Sequence, residues 1–136
     1  MSRTFAAVAL ISATALAYPT TEQRASVKVW DDLMVKYGYD YELYKVQTED
    51  QWELSLFRII GKAGSGSNAS TKPPVLVMHG SEMDAASWIS YYFMGVPMPM
   101  QLVEEGYDVW MGNNRGTRYS NVNPKFPRPD DPTQNK

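Results

Sequence analysis

Pro73-Pro74-Val75-Leu76-Val77-Met78-His79-Gly80-Ser81 is the stretch on which the reading of this chain turns. Apolar residues run from Val75 to Met78 without a polar break, and two of them are β-branched valines. Prolines precede the run and Gly80 follows it. A run bounded in this way predicts a short strand buried on both faces, the kind that lies inside a parallel sheet between layers of helix. A second run, Tyr107-Asp108-Val109-Trp110-Met111, opens after Gly106 and closes at Gly112. The segment between them is long enough for a helical crossover. A right-handed strand-helix-strand unit is therefore expected, and with it the α/β class. In open α/β sheets chemistry gathers where the chain leaves the carboxyl end of a strand. Here that place is His79-Gly80-Ser81.

Upstream, Val27, Trp30, Leu33, Met34 and Tyr37 recur at helical spacing, with Ser26 as a cap and Gly38 as the stop. Nothing on that helix has a chemical look. Leu43 to Thr48 and Trp52 to Ile60 read as two strands around a turn at Glu49, Asp50 and Gln51, which predicts an antiparallel hairpin. Lys62 to Lys72 is a Gly/Ser loop. Between the two buried runs, Met100 to Glu105 suits a short helix ended by Gly106. Met94, Met98 and Met100 form a methionine cluster. Such a cluster fills a core, or it forms a pliable apolar wall for acyl chains. After the second run, Gly112-Asn113-Asn114-Arg115-Gly116 is a turn-rich loop at another strand's carboxyl end. Its Asn and Gly residues suit turn geometry, and Arg115 suits a tie to a carboxylate or to carbonyls. Pro124 to Lys136 reads as an irregular surface segment.

Residues 1–17 read as a secretory signal peptide. Arg3 gives a positive start, Phe5 to Leu16 is apolar and alanine-rich, and Ala15-Leu16-Ala17 is a small-x-small cleavage site. The run falls short of the ~20 residues that a membrane span needs, so no span is expected in the mature chain. Residues 18–25 read as an extended leader. Asn68-Ala69-Ser70 is a glycosylation acceptor pattern in a small, polar loop, and a secreted protein gives it meaning.

The 136 residues point to one domain, 26–136, and 13 basic against 15 acidic residues leave no basic patch for nucleic acid. Cysteine is absent, which excludes disulfides, thiolate zinc sites and a thiol nucleophile. His79 is the only histidine, so no His-rich metal site can form. No phosphate-binding glycine loop occurs, and no cofactor is expected.

Three strings taken together carry a resemblance. Val75 to Trp88 reads V-L-V-M-H-G-S-E-M-D-A-A-S-W, and Gly106 to Gly116 reads G-Y-D-V-W-M-G-N-N-R-G. Upstream stand Y-G-Y, Y-x-V-x-T-x-D and L-S-L-x-R-I between Tyr37 and Ile60. The combination resembles the amino-terminal part of the acid lipases, the α/β-hydrolase family of gastric lipase, lysosomal acid lipase and related sterol-ester hydrolases. It covers most of Val35 to Asp131.

The resemblance implies an incomplete α/β-hydrolase fold: an amino-terminal helix, an antiparallel hairpin, then a strand-helix-strand unit of the mainly parallel sheet. The fourth strand would lie between the second and the third, and the outer edge of the third would stay unpaired. It also implies that a backbone N–H of the loop after His79-Gly80, at Ser81, helps to form an oxyanion hole. His79, Gly80, Asn113, Arg115 and Gly116 would be structural residues beside that site. Leucine is usual where Ser81 stands, a turn glycine where Gln51 stands, and Glu82 and Asp84 make the loop unusually acidic.

Acyl transfer of this kind needs a serine in G-x-S-x-G, a histidine base and a carboxylate. No G-x-S-x-G occurs, and Gly64-Ser65-Gly66-Ser67 imitates it only in a loop before the third strand. The expectation is thus the amino-terminal portion of a secreted or lysosomal lipase, acting on neutral lipid or at a lipid–water interface and inactive as it stands. A non-catalytic secreted module that binds lipid or a partner on a lipase scaffold is the alternative.

Overall fold

The structure, a computed structural model, describes residues 21–66, 70, 72–90 and 95–126. The signal-peptide reading of 1–17, the first part of the 18–25 leader, Asn68 and Met94 lie outside the described residues. The elements are α1 (Thr21–Ser26), α2 (Lys28–Tyr37), β1 (Tyr39–Gln47), β2 (Glu53–Lys62), β3 (Pro74–Met78), α3 (Ser87–Ser90), α4 (Met98–Glu104) and β4 (Asp108–Gly112). The four strands form one sheet in the order β1-β2-β4-β3. β1 pairs antiparallel with β2, β2 antiparallel with β4, and β4 parallel with β3. The fourth strand thus lies between the second and the third, and the class is α/β with an incomplete hydrolase sheet.

α2 exists because its apolar residues fall on one face. Trp30 and Met34 are buried, and the helix stops at Gly38, whose φ of 71° suits glycine and whose N–H reaches the Met34 and Val35 carbonyls. The ring of Trp30 lies flat on Phe57 of β2, with centroids 4.2 Å apart, and Tyr41 of β1 meets both rings edge-on. Tyr119 closes the cluster against Phe57 at 5.2 Å. Burying a side chain of this size stabilises the fold by about 1.5–3 kcal/mol. The same face carries Ile59, Val77, Val109 and Met111, covered by Ile89 of α3 and by Met100 and Val103 of α4. On the other face, Arg58 joins Glu42 at 3.1 Å to Asp108 at 2.7 Å, which ties three strands together.

Three expectations are corrected. The leader is not extended over 21–25: Thr21–Ser26 is helical, built of good helix formers, and Arg24 reaches back over α2 to Asp31 at 2.7 Å. Ser26 does not cap α2. Its hydroxyl donates to the Gln23 carbonyl inside α1, and Val27 holds the cap position with no side-chain hydrogen bond. Nor is β3 buried on both faces. Val77 is buried, but Leu76 is 59% exposed and Met78 40%. The physical reason is that side chains alternate across the strand: Val75 and Val77 face the core cluster, whereas Leu76 and Met78 face the opposite side. β3 is also the edge of the sheet, and among the described residues it pairs with β4 alone.

The methionine cluster divides. Met100 is fully buried and fills the core, while Met98 is exposed beside a groove. No helix among the described residues is long and apolar enough to cross a membrane.

Candidate functional site

β3 and the parallel β4 end side by side, Met78 opposite Gly112, so the loops that leave them are neighbours. Residues 79–83 form one wall of an open cleft of about 540 Å³, and residues 114–118 form the other. His79 joins the walls. Its Nε2 accepts the main-chain N–H of Asn114 at 3.0 Å, and its Nδ1 lies 2.8 Å from the Gly80 carbonyl. Acceptance at Nε2 places the proton on Nδ1, which donates to Gly80. Both ring nitrogens are therefore engaged within the loops.

Ser81 and Glu82 form the exposed tip of the first loop. Among the described residues their main-chain N–H groups meet no acceptor. Glu82 has φ of 59°, a left-handed conformation that a side chain makes unfavourable. Beyond the tip, Asp84 turns the chain into α3: its carboxylate accepts the Ala86 N–H at 2.9 Å, and its carbonyl accepts the Ser87 hydroxyl at 2.7 Å. Arg118 of the second loop lies 3.4 Å from the same carboxylate.

The second loop is tied down in turn. Arg115 pairs with Asp50 of the hairpin turn at 2.5 Å, and Gly116, with φ of 84°, donates its N–H to Ser120 at 2.8 Å. Asp50 lies below the usual carboxylate range, first because the Thr48 hydroxyl donates to it and second because of the Arg115 charge. The Arg115–Asp50 pair is exposed at both ends and contributes little by itself to stability.

Asn113 does more than shape a turn. It is buried, its Oδ1 accepts the Ala85 N–H at 2.9 Å, and its Nδ2 donates to the Ser55 carbonyl of β2 at 3.0 Å. Ser120 donates to the Asn113 carbonyl at 3.0 Å and accepts the Ser55 N–H at 2.9 Å. Sequence reasoning missed Ser55 and Ser120. Both are small polar residues without a motif; the antiparallel Glu53–Val122 bridge sets Ser120 beside Ser55, and the pairing of β2 with β4 brings Asn113 to them.

A second groove of about 460 Å³ adjoins the first and shares Gly80 and Met83 with it. Trp88, Val96, Pro97 and Met98 give it an apolar lining. The indole Nε1 of Trp88 donates to the Met78 carbonyl at 3.1 Å, which fixes that wall to the end of β3. No group of three or more His, Cys, Asp or Glu residues suited to a metal ion occurs among the described residues.

The sheet order is that of an incomplete α/β-hydrolase fold. Residues 30–92 match the family described as a partial alpha/beta-hydrolase lipase region, and over these residues the chain is such a region. Among curated proteins, it is 43% identical over 96 residues to a probable lipase of Schizosaccharomyces pombe, a match that covers 70% of this chain and 21% of that protein. Triacylglycerol lipase 2 of Arabidopsis thaliana is 40% identical over 86 residues, with 62% and 20% covered. Human gastric triacylglycerol lipase is 38% identical over 92 residues, with 67% and 23% covered. The matched segment spans only about a fifth to a quarter of the length of these relatives.

Proposed function

We propose that this chain is the amino-terminal portion of a lipase-type serine ester hydrolase, with neutral lipid, triacylglycerol or sterol ester, as its substrate. One observation carries the reading: the Ser81 and Glu82 N–H groups are unpaired at the carboxyl end of β3, on a loop held at both of its ends. Donors fixed in that position stabilise the oxyanion of an ester's tetrahedral intermediate without reorganising when the charge forms. Ser81 supplies a backbone donor, so a serine serves there as well as a leucine. The acyl chain of such an ester would lie in the adjoining groove between Met83, Trp88 and Met98.

The donor loop assists a nucleophile and cannot replace one. His79 is not a base in this reading, because Nε2 already accepts the Asn114 N–H. The chain of 136 residues is therefore inactive alone. Incubating the purified chain with a short-chain and a long-chain ester tests this. No turnover is expected; turnover abolished by a serine-directed inhibitor would overturn it. The apolar groove also supports a second reading, a non-catalytic lipid- or partner-binding module on the lipase scaffold.

The proposed route is the secretory pathway, to the outside of the cell or to the lysosome. It rests on the apolar, alanine-rich segment ending at Ala17 and on the acceptor Asn68. Expression in a eukaryotic host should yield material that starts at Tyr18 and shifts in mass on treatment with an N-glycosidase. Material that retains Met1 would contradict the route.

A further inference from the structure

We propose that Asn113 is the positioning residue of the oxyanion loop: its side-chain amide sets where that loop stands relative to the sheet. The inference rests on the oxyanion reading for its catalytic meaning, but the clamp is a property of this chain's own geometry. Ala85 stands just past the loop tip and presents an N–H, while β2 presents a C=O at Ser55. These two groups face the same buried side chain, at 2.9 Å and 3.0 Å. One is a donor and the other an acceptor. An amide is the side chain that meets both and carries no charge.

The clamp is held in turn by its own backbone. The Ser120 hydroxyl accepts the Ser55 N–H and donates to the Asn113 carbonyl, so Ser55, Asn113 and Ser120 close a ring of hydrogen bonds. All three residues are buried. The next residue, Asn114, holds the other end of the loop through His79. Consecutive residues of the β4 loop thus fix both ends of the segment that carries the free donors. Removing Asn113 would leave the Ala85 N–H and the Ser55 C=O buried and unpaired, which a structure tolerates poorly.

Two variants of the chain test this, read by amide hydrogen exchange as protection factors corrected for intrinsic pH effects. Asn113→Leu keeps the bulk and loses both bonds. Exchange at Ala85 should quicken by about tenfold or more relative to Phe57, which reports the core. Asn113→Asp is the sharper variant. As a carboxylate it turns an acceptor toward the Ser55 carbonyl and opens the clamp. As a neutral acid it donates to Ser55 and accepts from Ala85, and so restores both bonds. The titratable groups nearby are Lys45, bonded to the Ser55 hydroxyl, the Asp84–Arg118 pair, Tyr119, and His79 on Asn114. Acidification should therefore recover Ala85 protection in Asn113→Asp and not in Asn113→Leu. A side chain that merely fills space predicts no such rescue. Ala85 protection in Asn113→Asp that does not respond to acid overturns the proposal, as does wild-type protection in Asn113→Leu. Neither result depends on ester turnover, so the clamp and the oxyanion reading stand or fall separately.

Discussion

The imidazole Nε2 of His79 and the main-chain nitrogen of Asn114 lie 3.0 Å apart, and the hydrogen between them belongs to Asn114. The ring is thus the neutral tautomer with its proton on Nδ1. Nitrogen-15 spectra of the imidazole should show Nδ1 protonated and Nε2 bare. Protonation at Nε2 would set one donor against another and release this end of the loop. Removing the ring, as in His79→Ala, should likewise release the loop, shift the Asn114 amide resonance and quicken its hydrogen exchange. An Asn114 amide that exchanges no faster in His79→Ala would contradict the bond.

Gln51 occupies a position built for glycine. The Gln51 N–H bonds to the Thr48 carbonyl at 2.9 Å, and Gln51 itself has φ of 74°. That is a turn followed by a left-handed residue, the geometry of a three-residue hairpin loop. A left-handed conformation costs an L-residue about 1–2 kcal/mol, and the extra freedom of glycine in the unfolded chain offsets part of any relief. Gln51→Gly should stabilise the chain by about 0.5–1 kcal/mol in urea unfolding. A loss of stability would show that the Gln51 side chain holds the turn in some other way.

Tyr119 makes the fold sensitive to alkali. Burial, and after it the Asp84 carboxylate, push its hydroxyl up to about 12 from an ordinary 10.0. The folded state therefore holds the proton more tightly than the unfolded one. The stability that follows is complete below pH 10 and is lost as pH climbs through 12. Tyr41, also raised chiefly by burial, acts in the same direction. The Tyr119 hydroxyl has no hydrogen-bond partner among the described residues, so Tyr119→Phe should fold at least as stably at neutral pH. It should also lose less stability between pH 10 and 12 than the parent chain, as thermal unfolding would measure. Equal losses in the two proteins would remove Tyr119 from the account.

The exposed edge at β3 carries no charge to discourage pairing. Leu76 and Met78 point away from the core on a strand whose outer edge has no partner among the described residues, and such edges template association. Sedimentation of the chain should show self-association that grows with concentration, and Leu76→Lys should reduce it. A parent chain that stays monomeric across the same range would contradict the prediction.

The sequence discloses the elements better than their surroundings. Val75 to Met78 is apolar enough to fix a strand, and glycines at 38 and 106 end helices where a left-handed residue is needed. Burial is less legible, because an apolar run does not say whether anything covers it: Leu76 is exposed although its neighbour Val77 is not. α1 escaped because it is short, polar and held by the Arg24–Asp31 pair, a contact that local pattern does not encode. At the site, the H-G-S string marks the loop and the family string marks its neighbour. The role of Asn113 was hidden, since asparagine at a strand end reads as a turn residue until Ala85 and Ser55 are seen to converge on it.

A graft tests the central claim most directly. Residues 35–131 of this chain would replace the matching segment of human gastric triacylglycerol lipase, a protein 38% identical over 92 residues. Labelling by a fluorophosphonate reports whether the host serine is assembled, and turnover of a triacylglycerol ester reports whether the donor loop works. The account predicts a labelled graft with turnover within about tenfold of the parent, because loss of one oxyanion donor alone would lower it by about 10²–10³. A graft that labels as fully as the parent but turns over ester at least a hundredfold more slowly would contradict it.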